Sequence, residues 1–173
     1  TAVLRGTATE RAIHRRYAVG AVVGGTSAGA AVMSALMITG DERRPGGERR
    51  DTPTAYMTIA RDNIVTDSGF ALLGGAIVDQ HFLRRKRHNR LISLVLERVP
   101  HLGVGIDEST ALIVASDGQW RVNGASVAVV YDARTATITS PGAAALGAAG
   151  LRMHVLPAGA TFNPATGEAR MPY

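Results

Sequence analysis

Residues 21–30 read Ala21-Val22-Val23-Gly24-Gly25-Thr26-Ser27-Ala28-Gly29-Ala30, an apolar, β-branched burst that breaks into glycines and small residues around one serine. Few chain paths suit such a string. The burst is built for a short buried parallel strand, and the glycines for a turn too tight for larger side chains. The small residues from Ala28 to Met37 suit a helix. Ser27 then stands where strand turns into helix, and Gly25, Ser27 and Gly29 complete a Gly-x-Ser-x-Gly pattern. That is the setting of a nucleophile elbow, with the Ala28 backbone N–H as one oxyanion donor. It suits as well a glycine-rich turn, or a phosphate loop in which Ser27 only caps the helix.

The rest of the chain favours one α/β domain over residues 1–173, a length that supports a single core. Residues 7–17 read as a helix capped by Thr7 or Thr9 and stopped by Gly20. An amphipathic helix is expected over 89–98, with Leu91, Leu94 and Val95 on one face and Pro100 as its stop. The apolar stretch 70–78 leads into Asp79-Gln80-His81, and short strands are expected at 103–107, 111–115 and 151–156. Residues 120–122 and 127–131 read as antiparallel strands around the Asn123-Gly124 turn. Residues 41–54 are polar, rich in Gly and Pro, and expected to form a mobile loop. The alternation gives a mostly parallel sheet flanked by helices, with antiparallel additions toward the C-terminus.

A serine nucleophile needs a base, and the base needs an acid to orient it. The chain holds five histidines. His14 sits among arginines on a polar helix face, His88 in a basic run, His101 beside a proline and His154 in a strand. His81 directly follows an apolar strand, where an α/β sheet presents residues to its ligand crevice; a structural histidine also occurs at such a place. Glu108 follows the strand ending at Ile106-Asp107 and serves equally as a turn cap. Ser27, His81 and Glu108 are thus three strand-end residues that can converge.

Composition excludes other chemistry. Without cysteine there is no disulfide, thiolate metal site or cysteine nucleophile. No run approaches the roughly 18 apolar residues of a membrane helix. The net charge of +5 and pI near 10.4 would suit nucleic acid. The basic residues, however, gather at 84–90 and 43–50 without stacking aromatics, and no nucleic-acid partner is expected.

Three motifs then agree in order and spacing: Gly25-Thr26-Ser27-Ala28-Gly29-Ala30; Asp79-Gln80-His81-Phe82 with Arg85, Arg87, Arg90 and Leu91 behind it; and Gly105-Ile106-Asp107-Glu108-Ser109-Thr110-Ala111. Together they resemble the cyanophycinase family of serine peptidases over residues 1–131. The resemblance implies a fold related to class I glutamine amidotransferases and aspartyl dipeptidase. It implies a Ser27–His81–Glu108 triad working through an acyl-enzyme on the β-Asp-Arg linkages of cyanophycin or a related aspartyl peptide. Cyanophycin is a poly-aspartate with arginine on each side-chain carboxylate. Asp79, Gln80, Arg85, Arg87 and Arg90 fall on the family's substrate-contacting positions. No metal or organic cofactor is implied, and the expected setting is cytoplasmic.

Family members carry a further half-sheet ahead of the residues matched here. The sheet is therefore expected to be completed by an N-terminal segment of the same precursor or by a second chain, with the completed domain forming a homodimer. Thr1 is accordingly expected to be a processed terminus, made by self-cleavage or a protease. Two other readings are a self-processing peptidase with another peptide substrate, and an inactive subunit that only binds.

Overall fold

The computed structural model describes residues 2–43, 49–50, 58–143 and 145–173. Its elements run α1 (Ala8–Ala18), α2 (Ala28–Ala31), β1 (Leu36–Arg43), β2 (Arg49–Arg50), β3 (Ile64–Ser68), β4 (Ala76–Gln80), α3 (His88–Glu97), β5 (Leu102–Ile106) and β6 (Thr110–Val114). There follow β7 (Trp120–Gly124), β8 (Val127–Asp132), β9 (Thr137–Ile138), β10 (Ala148–Ala149), β11 (Arg152–Pro157), β12 (Thr161–Asn163) and β13 (Glu168–Arg170). Helix α1 begins where its cap directs, with the Thr7 hydroxyl accepting from the Glu10 N–H.

Three layers hold the site. One four-stranded sheet has the order β11-β8-β5-β4, and a second the order β13-β12-β7-β6. The alternation of β8 makes the layering plain. Val129 and Tyr131 join Ile77, Phe82, Leu91 and Val95 in the core that includes α3. Ala128 and Val130 point the other way, to Trp120, Val122, Leu156 and Phe162 between the two sheets. Gly105 in β5 makes the first interface possible, since a Cβ there would stand 2.3 Å from the Phe82 ring.

The mostly parallel sheet expected from sequence is corrected. Among the described strands only β4 and β5 pair in parallel, and every other ladder is antiparallel. A parallel pair needs a crossover of a dozen residues or more. Residues 81–101, with α3, supply one, whereas the later connections are short. The hairpin expected around Asn123-Gly124 is also absent. Strand β7 pairs with β6 and β12 while β8 pairs with β5 and β11, so Ala125-Ser126 carries the chain between layers.

Local readings differ at three further places. The helix expected over 28–37 is only α2, because Leu36-Met37-Ile38-Thr39 enter β1. Residues 21–25 join no ladder, and Val22 is 98% exposed: a strand-forming sequence without a neighbour has nothing to pair with. Of the expected 41–54 loop, Asp41–Arg43 finish β1 and Arg49–Arg50 form β2, while 44–48 and 51–54 lie outside the described residues. So does Thr1.

Asp132 ties the end of β8 to its surroundings. Its carboxylate, fully buried, accepts from Arg134 Nε and Nη2 at 2.9 Å each and from Arg152 Nη2 at 2.6 Å. The Arg134 hydrogen bonds lower its pKa to about 2 against the opposing effect of burial. The folded value lies below the ordinary 3.8, so this stabilisation is complete above that pH and fades as pH falls toward 2. We expect the urea midpoint to drop between pH 5 and pH 2.5 by the equivalent of about 1–2 kcal/mol. Asp132→Asn should remove that part of the pH dependence.

Candidate active site

Ser27 sits at φ 54°, ψ −120°, a conformation few residues adopt outside tight, over-determined turns. Its neighbours permit it. A Cβ on Gly25 would lie 2.2 Å from the Gly29 carbonyl oxygen, so the turn closes only around glycine. Beyond Ser27 the chain turns into α2, with Gly29 N–H donating to Thr26 O and Ala30 N–H to Ser27 O. The base of this unit is held by Ser34, fully buried, whose hydroxyl accepts the Val78 N–H of β4 at 2.8 Å.

His81 is the first residue after β4, also at positive φ (49°). Phe82 behind it is completely buried and packs edge-on against His88 and Tyr131. Because β4 and β5 pair with Gln80 opposite Ile106, the residues just past both strand ends lie side by side. Glu108 follows β5 by two residues, and its carbonyl accepts from the Thr110 hydroxyl at 3.1 Å.

These three pieces meet. Ser27 Oγ lies 3.0 Å from His81 Nε2, and His81 Nδ1 lies 3.1 Å from Glu108 Oε1. With Glu108 ionised, Nδ1–H donates to the carboxylate and Nε2 is left to accept the Ser27 hydroxyl proton. The His81 side chain is 28% exposed and that of Glu108 46%, so a substrate can reach the group from solvent.

Among the basic and polar residues around His81, Asp79 and Arg90 pair with each other inside the protein. Asp79 Oδ2 accepts from Arg90 Nε at 2.7 Å, Oδ1 accepts from Arg90 Nη2, and both residues are buried. Arg87 Nη1 also lies 3.6 Å from Asp79 Oδ1, so the buried carboxylate is compensated by two guanidiniums. Arg87 turns inward too, donating from Nη1 to the Gln80 carbonyl at 2.6 Å. Gln80 Oε1 is buried without a hydrogen-bond partner among the described residues. Arg85 remains exposed, its N–H donating to His81 O.

Sequence reasoning missed Asp107, the residue that fastens the site. Its Oδ1 accepts the N–H groups of Leu83 and Arg84 at 3.0 and 3.1 Å, and Oδ2 accepts the Ser126 hydroxyl at 2.7 Å. One carboxylate thus joins the turn after His81, the end of β5 and the β7–β8 corner. Burial opposes its ionisation, but the Ser126 hydroxyl and the N–H groups of Arg84, Glu108 and Leu83 outweigh it and lower its pKa. The only signal in the sequence was an acid at a strand end, a property it shares with Glu108. Asp107→Ala leaves those donors without their acceptor and lets His81 drift. We expect labelling of Ser27 by a small fluorophosphonate to slow by roughly 10²-fold, the scale on which small misplacements act. Unchanged labelling would remove Asp107 from the positioning framework.

Comparison with known proteins gives the chain a family. A family model described as peptidase family S51 matches residues 1–121. The chain is 36% identical over 166 residues to a cyanophycinase of Trichormus variabilis, covering 93% of this chain and 52% of that protein. It is 34% identical over 160 residues to one of Geminocystis herdmanii, covering 89% and 54%. To one of Synechococcus elongatus it is 32% identical over 161 residues, covering 91% and 46%. The chain spans about half the length of the relatives it matches. The segments that carry Ser27, His81 and Glu108 all fall inside the matched region, and the chain belongs to peptidase family S51.

Proposed function

We propose that this chain carries the hydrolytic site of a serine peptidase acting on cyanophycin or a related β-aspartyl-arginine peptide. The observation that carries the reading is the continuous Ser27–His81–Glu108 contact, built on a serine at positive φ in the tight turn into α2. In the first step His81 Nε2 takes the Ser27 hydroxyl proton as Oγ attacks the scissile carbonyl carbon. Glu108 holds His81 in the required tautomer and stabilises the imidazolium. The Ala28 N–H, at the start of α2, donates to the oxyanion. Collapse breaks the C–N bond, and the proton on Nε2 passes to the departing amine. Water then repeats the sequence on the acyl-serine and frees the carboxylate.

The substrate assignment draws on the relatives' name and on the exposed basic turn at Arg84-Arg85-Lys86, one residue chain-wise beyond Leu83. In that turn Arg85 is the side chain assigned to a substrate carboxylate. Residues 21–25, which join no ladder and expose Val22, are the stretch on which a further segment of polypeptide would pair. The test is incubation with cyanophycin and with α-linked Asp-Arg peptides, products being separated by mass. Release of β-Asp-Arg dipeptide marks cleavage of the aspartate backbone, and free arginine marks cleavage of the isopeptide bond. No product from the β-linked polymer, with fluorophosphonate labelling of Ser27 intact, would reject the substrate and keep the chemistry.

A further inference from the structure

The second sheet carries a polar groove that the catalytic site does not use. Strands β7, β12 and β13 pair with Thr161 opposite both Arg121 and Arg170, and Asn163 opposite Glu168. The period of two sends Trp120, Phe162 and Ala169 into the core and their neighbours outward. Outward there are two adjacent rows, Arg121–Thr161–Arg170 and Gln119–Asn163–Glu168, around a groove of about 280 Å³. Two guanidiniums flank one hydroxyl, and a carboxylate with two amide side chains lies in the next row. Among the described residues neither Arg121, Arg170 nor Glu168 forms a side-chain ion pair, although Arg170 and Glu168 share a face two residues apart. Charges of both signs held side by side without pairing with one another suit a ligand that itself alternates them.

We propose that this groove is a second binding site for the substrate polymer, away from the bond that is cut; the proposal rests on the substrate reading above. In a poly-aspartate with arginine amide-linked through its α-amine, each repeat presents one free carboxylate and one guanidinium. Arg121 and Arg170 take the carboxylate by bidentate contacts, and Glu168 takes the guanidinium. The spacing suits a chain already engaged at Ser27. Strand β6 begins two residues past Glu108, and Ile113 near its far end lies opposite Arg121. The path between them on that face is Ala111 and Ile113, both exposed. The groove lies across β7, β12 and β13, beyond β6 from Glu108, so only a polymer of several repeats engages both places.

The test compares a long β-Asp-Arg oligomer, of ten repeats, with the single dipeptide unit. Binding is measured on the Ser27→Ala protein, with and without Arg121→Gln and Arg170→Gln together. The exchange keeps the side chains polar at exposed strand positions, and matched thermal melting curves verify the fold; Glu168→Gln gives a second, single-site variant. The oligomer should bind roughly tenfold more weakly to the double variant, while dipeptide binding stays the same. Oligomer affinity that does not change, or oligomer and dipeptide affinities that fall together, would overturn the groove. Whether the parent enzyme hydrolyses the polymer is a separate measurement, so loss of the substrate reading and loss of the groove are told apart.

Discussion

Ser27→Ala is expected to abolish hydrolysis, with kcat falling by roughly 10⁴-fold or more, while the melting temperature stays close to that of the parent protein. The change removes one oxygen from an exposed turn whose shape is set by Gly25 and the α2 hydrogen bonds, so little packing is at stake. His81→Ala should fall to a similar level, and the double variant little further, because the two residues act as one proton-transfer unit. Additive losses would show that the 3.0 Å contact is not the one used in turnover. Fluorophosphonate labelling followed by intact-mass measurement reports the same site independently of any substrate choice.

The largest expected effect on stability lies one layer below. Asp79 and Arg90 are 1% and 2% exposed, and Asp79→Ala removes the buried carboxylate on which both Arg90 and Arg87 converge. Breaking such a pair from one side costs about 3–5 kcal/mol. Replacing both, as Asp79→Leu with Arg90→Met, should recover much of that loss, because desolvation of the two charges is avoided as well. Urea titration of the two variants reads the result. If Asp79 served the substrate instead, Asp79→Ala would raise KM and leave the urea midpoint in place.

The same pair shows where sequence reading stops. The resemblance singled out Asp79, Arg87 and Arg90, but nothing in the sequence tells that Asp79 and Arg90 pair with each other in the core. Orientation depended on Phe82 and α3 burying that side of the turn, and those are contacts set by tertiary packing. What was local was legible. The Thr7 cap, the apolar face of α3, the core of β5 and the glycine requirement at the serine turn all follow from residues within one or two turns of chain. Sheet partners were not legible in this way. Residues 120–131 carry a good hairpin signal in Asn123-Gly124, yet the two strands join different layers because each finds a better neighbour elsewhere. Asp107 was passed over since its worth lies in three partners distant in sequence, none of which a motif records.

The parallel pairing of β4 with β5 has a consequence for how this molecule comes to work. His81 and Glu108 meet only when Gln80 lies opposite Ile106, and a slip of one residue would send the imidazole to the other side of the sheet. That register is closed across a 21-residue crossover, a step late to gain contacts relative to its entropy cost. The single tryptophan, Trp120, is buried in the other core, between the sheets. That core also takes in Ala76 of β4 and Leu102 and Val104 of β5, so tryptophan emission and regain of a labelable serine both report on the closed crossover. In refolding the two signals are expected to return together, and a serine that stays unlabelled after the emission has recovered would mark a β4–β5 register closed out of step.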